Sequence, residues 1–157
     1  MKFPIPHALQ VEHEELHATL GRATKEPGAV GEAAREVARL LHPHFVREEE
    51  FALPPLALLA ELARSGVTAG MAEVLPMTRR LKAELPQMLA EHRQIVGALE
   101  RLRVAAAAAR LPAYDRFAEA LALHAQTEEQ VLYPAAILVG ELVALTPGAA
   151  GSRARGC

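Results

Sequence analysis

Apolar residues recur along this chain at alternating three- and four-residue steps, the spacing that gathers them on one face of a helix. The first such stripe is Leu9, His13, Leu16, Leu20, and the second is Val37, Leu41, His44, Glu48, Phe51. The third reads Leu81, Leu85, Met88, His92, Ile95, Leu99, Leu102, and the fourth Phe117, Leu121, His124, Glu128, Val131. Gly and Pro punctuate them and set the expected ends. Helices are predicted from about His7 to Arg22, from Val30 to Leu53, from a start near Met71 to Met77 as far as Ala109, and from just after Pro112 to Tyr133. Pro76 and Pro86 predict a late start or a kink in the third, and Pro134 a stop or kink after the fourth. A short extra helix is expected over Leu56 to Arg64, between helices two and three, and a C-terminal helical extension over Ala135 to Leu145. The pattern predicts an all-α four-helix bundle over residues 1–145, followed by a Gly/Ala/Arg-rich tail, 146–157, expected to be disordered.

Every stripe is interrupted by a histidine, or by a histidine and a glutamate. The interruptions also repeat. His44-Phe45-Val46-Arg47-Glu48-Glu49 and His124-Ala125-Gln126-Thr127-Glu128-Glu129 both read H-x-x-x-E-E, and Pro54 and Pro134 each follow the first glutamate by six residues. Glu12-His13 and Glu91-His92 match on the partner helices. The chain therefore reads as two copies of one helix pair, offset by about 80 residues (His44 to His124), which together make one bundle.

Residues four apart stand one above the other on a helix, so His44 with Glu48, and His124 with Glu128, can chelate one centre. A carboxylate on a buried seam is costly unless a cation pairs with it, and two facing carboxylates repel. Two metal ions between the glutamates remove both difficulties, because each carboxylate can bridge the ions while imidazoles complete their spheres. Imidazole plus carboxylate suits iron, and manganese or zinc can take the same ligands.

Composition narrows the class further. The chain has 157 residues, 51% of them hydrophobic, enough for one domain with a real core. Ala, Leu, Glu and Arg dominate over β-branched and aromatic residues, which favours helix. A net charge of −2 with no basic stripe argues against a nucleic-acid or anionic-membrane partner. No stretch approaches the 18 or so apolar residues of a membrane span, and the first residues lack the apolar run of a signal peptide. The single cysteine, Cys157, has no internal partner. The expectation is a cytoplasmic protein.

His13, His44-x-x-x-Glu48, His92 and His124-x-x-x-Glu128 resemble the hemerythrin-like (HHE cation-binding) domain over roughly residues 7 to 134. The resemblance implies an up-down-up-down bundle with a non-haem di-iron centre bridged by the two glutamates. It also implies a protein that binds or senses oxygen, nitric oxide or iron, or an enzyme with peroxidase- or oxidase-like chemistry at the same centre. Oxygen carriers of that family supply five histidines, with a His-x-x-x-His pair on the third helix. Here the third helix has only His92, with Met88 and Val96 four residues to either side, and His17 is the one candidate for a further ligand.

Other motifs carry less. His13-Glu14-Glu15-Leu16-His17 satisfies H-E-x-x-H, a zinc hydrolase signature, but no third ligand follows at the usual spacing and little strand-forming sequence accompanies it. Glu12, Glu49, Glu50, Glu91 and Glu129 are read as solvated, or as carboxylates standing behind the ligands. His7 and His42 are read as surface or loop histidines. Tyr114 and Tyr133 are read as core-edge residues, Tyr133 close to the site by its offset from Glu128. The metal set is thus His13, His44, Glu48, His92, His124 and Glu128, with His17 as a candidate seventh. The expected partners are small molecules such as O2, NO or peroxide, with a homodimer as the candidate assembly.

Overall fold

Prolines begin most of the helices, at positions where a helix has no use for a backbone N–H. Pro6 precedes α1 (His7–Ala23) and Pro27 precedes α2 (Gly28–Arg47). A 3-10 turn, Pro54–Leu58, leads into the short α3 (Leu59–Ser65). Pro76 lies in the first turn of α4 (Leu75–Ala108), after a 3-10 turn over Ala69–Val74, so the late start expected there is found. Pro86 sits exposed inside α4, which runs on past it as one element. Pro112 opens α5 (Pro112–Thr127), and Pro134 lies in the first turn of α6 (Tyr133–Leu145). The computed structural model describes residues 3–146, and these contain no strand. Beyond Thr146 the tail expected to be disordered lies outside the described residues, as does Cys157.

The helices that carry the repeat do not continue as α-helix through its glutamates. Glu48–Ala52 and Glu128–Leu132 are each one turn of π-helix. Leu53 N–H bonds the Glu48 carbonyl, and Tyr133 N–H bonds the Glu128 carbonyl, each reaching five residues back instead of four. Such a turn inserts one residue, so the position five after the glutamate comes onto the glutamate's face. This corrects the fourth stripe: Val131 is 56% exposed, while Tyr133 is fully buried.

Four long elements close a ring, α2 against α4, α4 against α5, and α1 against both α2 and α5. Contacts between α2 and α4 descend on one helix as they ascend on the other: His44 reaches Glu91, Arg47 reaches Glu84, and Glu50, in the following π turn, reaches Arg80. The extension α6 lies on α4 so closely that a Cβ at Gly140 would stand 2.1 Å from Thr78 Oγ1; only glycine fits.

Two main apolar clusters fill the interior. One holds Leu16, Leu41, Phe45, Ile95, Leu99 and Leu121, and the other Phe51, Leu53, Leu56, Leu81, Met88 and Tyr133. Along α2, α4 and α5 with the turns that follow them, the buried histidines and glutamates fall between a member of the first cluster and a member of the second. Burying each large apolar side chain stabilises the fold by roughly 1.5–3 kcal/mol, enough in sum to carry a polar layer that stabilises nothing by itself.

Candidate metal centre

His13 on α1, His44 on α2, His92 on α4 and His124 on α5 project into that layer, with Glu48 and Glu128 from the first residue of each π turn. None is more than 4% exposed. One donor atom from each of His13, Glu48, His124 and Glu128 lies within 4.8 Å of the others, and the same holds for His44, Glu48, His92 and Glu128.

Each imidazole is turned by a carboxylate on the neighbouring helix. Glu49 stands 3.2 Å from His13 Nδ1, Glu91 2.6 Å from His44 Nδ1, Glu129 3.0 Å from His92 Nδ1, and Glu12 3.0 Å from His124 Nδ1. The four pairs run α1 to α2, α2 to α4, α4 to α5 and α5 back to α1, so they form a closed ring. A carboxylate at Nδ1 keeps the proton there and leaves a lone pair on Nε2, pointing inward. The ring of Phe45 stacks on His13 at 3.9 Å between centroids and fixes its plane.

The inward atoms divide into two sets. Glu48 turns Oε1 to His44 Nε2 (3.2 Å) and Oε2 toward His13 Nε2 (3.8 Å). Glu128 turns Oε1 to His124 Nε2 (2.9 Å) and Oε2 to His92 Nε2 (3.3 Å). Each glutamate thus offers one oxygen to each histidine pair, as a bridging carboxylate must. Glu48 Oε2 and Glu128 Oε1 are buried without a hydrogen-bond partner, and His13 Nε2 stands 3.2 Å from His124 Nε2. Unpartnered carboxylate oxygens and opposed lone pairs at this depth cost several kcal/mol unless a cation is shared between them. The donor set therefore fits metal.

Among themselves these side chains draw protons where a metal would otherwise sit. Burial disfavours a charged His92, but the Glu128 and Glu48 carboxylates outweigh it and hold its pKa up to about 10. His124 is raised to about 9 against burial, chiefly by Glu128, and His13 and His44 are raised too. Burial alone would raise the Glu128 carboxyl, but His124, His13 and His92 hold it well below the usual carboxylate range. Metal binding must displace these protons, so affinity rises with pH.

Two features escape a stripe-based reading of the chain. Tyr133, brought inward by the π turn, donates its hydroxyl to Glu48 Oε1 and stacks on His92, with 5.6 Å between ring centroids. Burial and the nearby Glu48 and Glu128 push its pKa far above the ordinary tyrosine value. Arg47 pairs with both Glu91 and Glu84, pinning the carboxylate behind His44. The signal for Tyr133 was the proline shared six residues after each glutamate, which marks an interrupted helix.

His17 does not join either set. It is exposed, with its ring edge-on to both Phe45 at 4.9 Å and His42 at 6.2 Å. Phe45 occupies the level between His13 and His17 and holds the latter outside. The H-E-x-x-H pattern accordingly assembles no site: Glu14 is exposed as well. A surface cavity of about 290 Å³ between α4 and α5, lined by His92, Val96, Ala122, Ala125 and Glu129 among others, reaches the edge of the centre.

The family model described as the hemerythrin HHE cation binding domain matches residues 5–136 of this chain. No curated protein and no solved structure matches it.

Proposed function

Since the chain belongs to the hemerythrin HHE cation-binding family, we propose that it is a cytoplasmic protein holding two non-haem iron ions, with which it binds or senses oxygen, nitric oxide or iron. The observation that carries the reading is the sharing of Glu48 and Glu128 between two histidine pairs, one oxygen to each. His13 and His124 would hold one ion, His44 and His92 the other. Iron supplies a redox-active Lewis acid to which small molecules such as O2 or NO can bind. The protein supplies fixed imidazoles, a buried layer between two apolar clusters, and bridging charge that offsets the cations.

A second reading is an oxidative enzyme, peroxidase- or oxidase-like, at the same centre. The cavity that reaches His92 favours it, since small reactants can approach from the groove between α4 and α5. Catalytic consumption of peroxide or oxygen with a reductant selects the enzyme, and a stable reversible adduct without turnover selects the binding protein.

The test is metal analysis with an absorption spectrum on protein from iron-supplemented cells. The expected outcome is about two irons per chain. Zinc or manganese in their place would reassign the metal, and less than one metal of any kind after reconstitution would overturn the centre.

A further inference from the structure

The His44–His92 pair has a neighbour whose counterpart is apolar. In the repeat, Tyr133 stands five residues after Glu128, where Leu53 stands after Glu48. Both are fully buried by the same π-helical device, but only Tyr133 carries an oxygen. That phenol oxygen lies 3.2 Å from His92 Nε2 and 3.5 Å from His44 Nε2, and bonds Glu48 Oε1. One hydroxyl proton serves one acceptor, here Glu48, which leaves the lone pairs of the oxygen directed at two imidazole Nε2 atoms whose rings hold their other proton at Nδ1 against the outer carboxylates. Ligand atoms held at about 2.0–2.2 Å from one ion, at right angles, stand roughly 3 Å apart. The separations of the phenol oxygen from both nitrogens, of His44 Nε2 from Glu48 Oε1 (3.2 Å) and of His92 Nε2 from Glu128 Oε2 (3.3 Å) are of that size.

We propose that Tyr133 is a metal ligand, its phenolate oxygen joining His44, His92, Glu48 and Glu128 on one ion, as the contact of its oxygen with both imidazole nitrogens and Glu48 places it. The inference rests on the iron reading above. The phenol proton leaves to solvent as the ion arrives. This ion then has five protein donors and the ion at His13 and His124 four. Tyr133 supplies from beyond α5 the additional ligand that α4, with Met88 and Val96 flanking His92, does not.

The test compares ferric-loaded full-length protein with the Tyr133→Phe variant, reading iron content, visible absorption and resonance Raman spectra. Iron-bound phenolate has a charge-transfer band in the visible, and excitation there enhances tyrosine ring modes. At full loading the expected wild-type band corresponds to about one phenolate per chain, because only one ion has a phenolate. In Tyr133→Phe the band is lost while iron remains. Ring-deuterated tyrosine in the wild type must shift the enhanced modes, which keeps the test independent of how the variant folds. The chain's other tyrosine, Tyr114, bonds Glu26 away from the centre and does not confuse the assignment. Iron-loaded wild type without tyrosine modes, or a variant that keeps the band, overturns the ligand and leaves the iron reading standing. Iron absent from both proteins overturns both.

Discussion

The two halves of the centre are built from one repeated unit, yet their surroundings differ. Behind His44, Glu91 is held by Arg47, which also takes Glu84, and Tyr133 closes the inner side. Behind His124, the equivalent Glu12 is more exposed, and the residue corresponding to Arg47 is Thr127, which bonds the backbone of its own helix. Both unpartnered carboxylate oxygens, Glu48 Oε2 and Glu128 Oε1, face the His13–His124 pair. The lesson is that the repeat sets the ligand spacing, while differences at single positions pin one half and leave the other without those contacts.

The strongest challenge to this picture removes what the halves share. Changing Glu48 and Glu128 together to Gln should drop metal content at both halves to below about one ion per chain; full occupancy would show that the glutamates do not bridge. Next in size, His44→Ala and His124→Ala should each halve the metal content, and loss of both ions from either single variant would mean that one half loads only after the other. The outer carboxylates should matter less and unequally. Glu91→Gln is expected to weaken binding at its half on the order of tenfold, and Glu12→Gln by less, because an exposed carboxylate is already screened by water. Equal effects in competition titrations with a chelator would erase the distinction.

The smallest expected effect is on stability. In chelator-treated protein, His92 and His124 have folded pKa values of about 10 and about 9, raised from 6.5. Their contribution is fully present below pH 6.5 and is lost as pH rises through those values. Thermal midpoints of the treated protein should therefore fall by several degrees, on the order of 5 °C, between pH 7 and 10. Metal-loaded protein, whose imidazoles carry no Nε2 proton, should change little; parallel profiles would refute the assignment.

Much of this was legible in the chain. His13, His44, His92, His124, Glu48 and Glu128 could be singled out because helical spacing and an internal repeat are both written in residue order, and the fold brings these six together. Helix starts were legible where proline forbids continuation, as at Pro76 and Pro112. The π turns were not, since a periodicity of 3.6 carries straight through Glu128 and puts Val131 inside. Tyr133 was consequently placed near the site but at the core edge. His17 satisfies the same four-residue spacing as the other pairs, yet it is exposed and meets the ring of Phe45 edge-on.

The closed ring of imidazole–carboxylate pairs has a consequence for how the buried centre communicates. Glu12, Glu49, Glu91 and Glu129 are 47, 46, 19 and 37% exposed, while the histidines they grip are almost wholly covered. With an ion bound, a unit change of its charge would alter how strongly each Nδ1–H is donated, and the recipient of that proton's pull is an acid already touching water. Such a change would be felt at four points around the molecule's girth, one imidazole ring away from the ion.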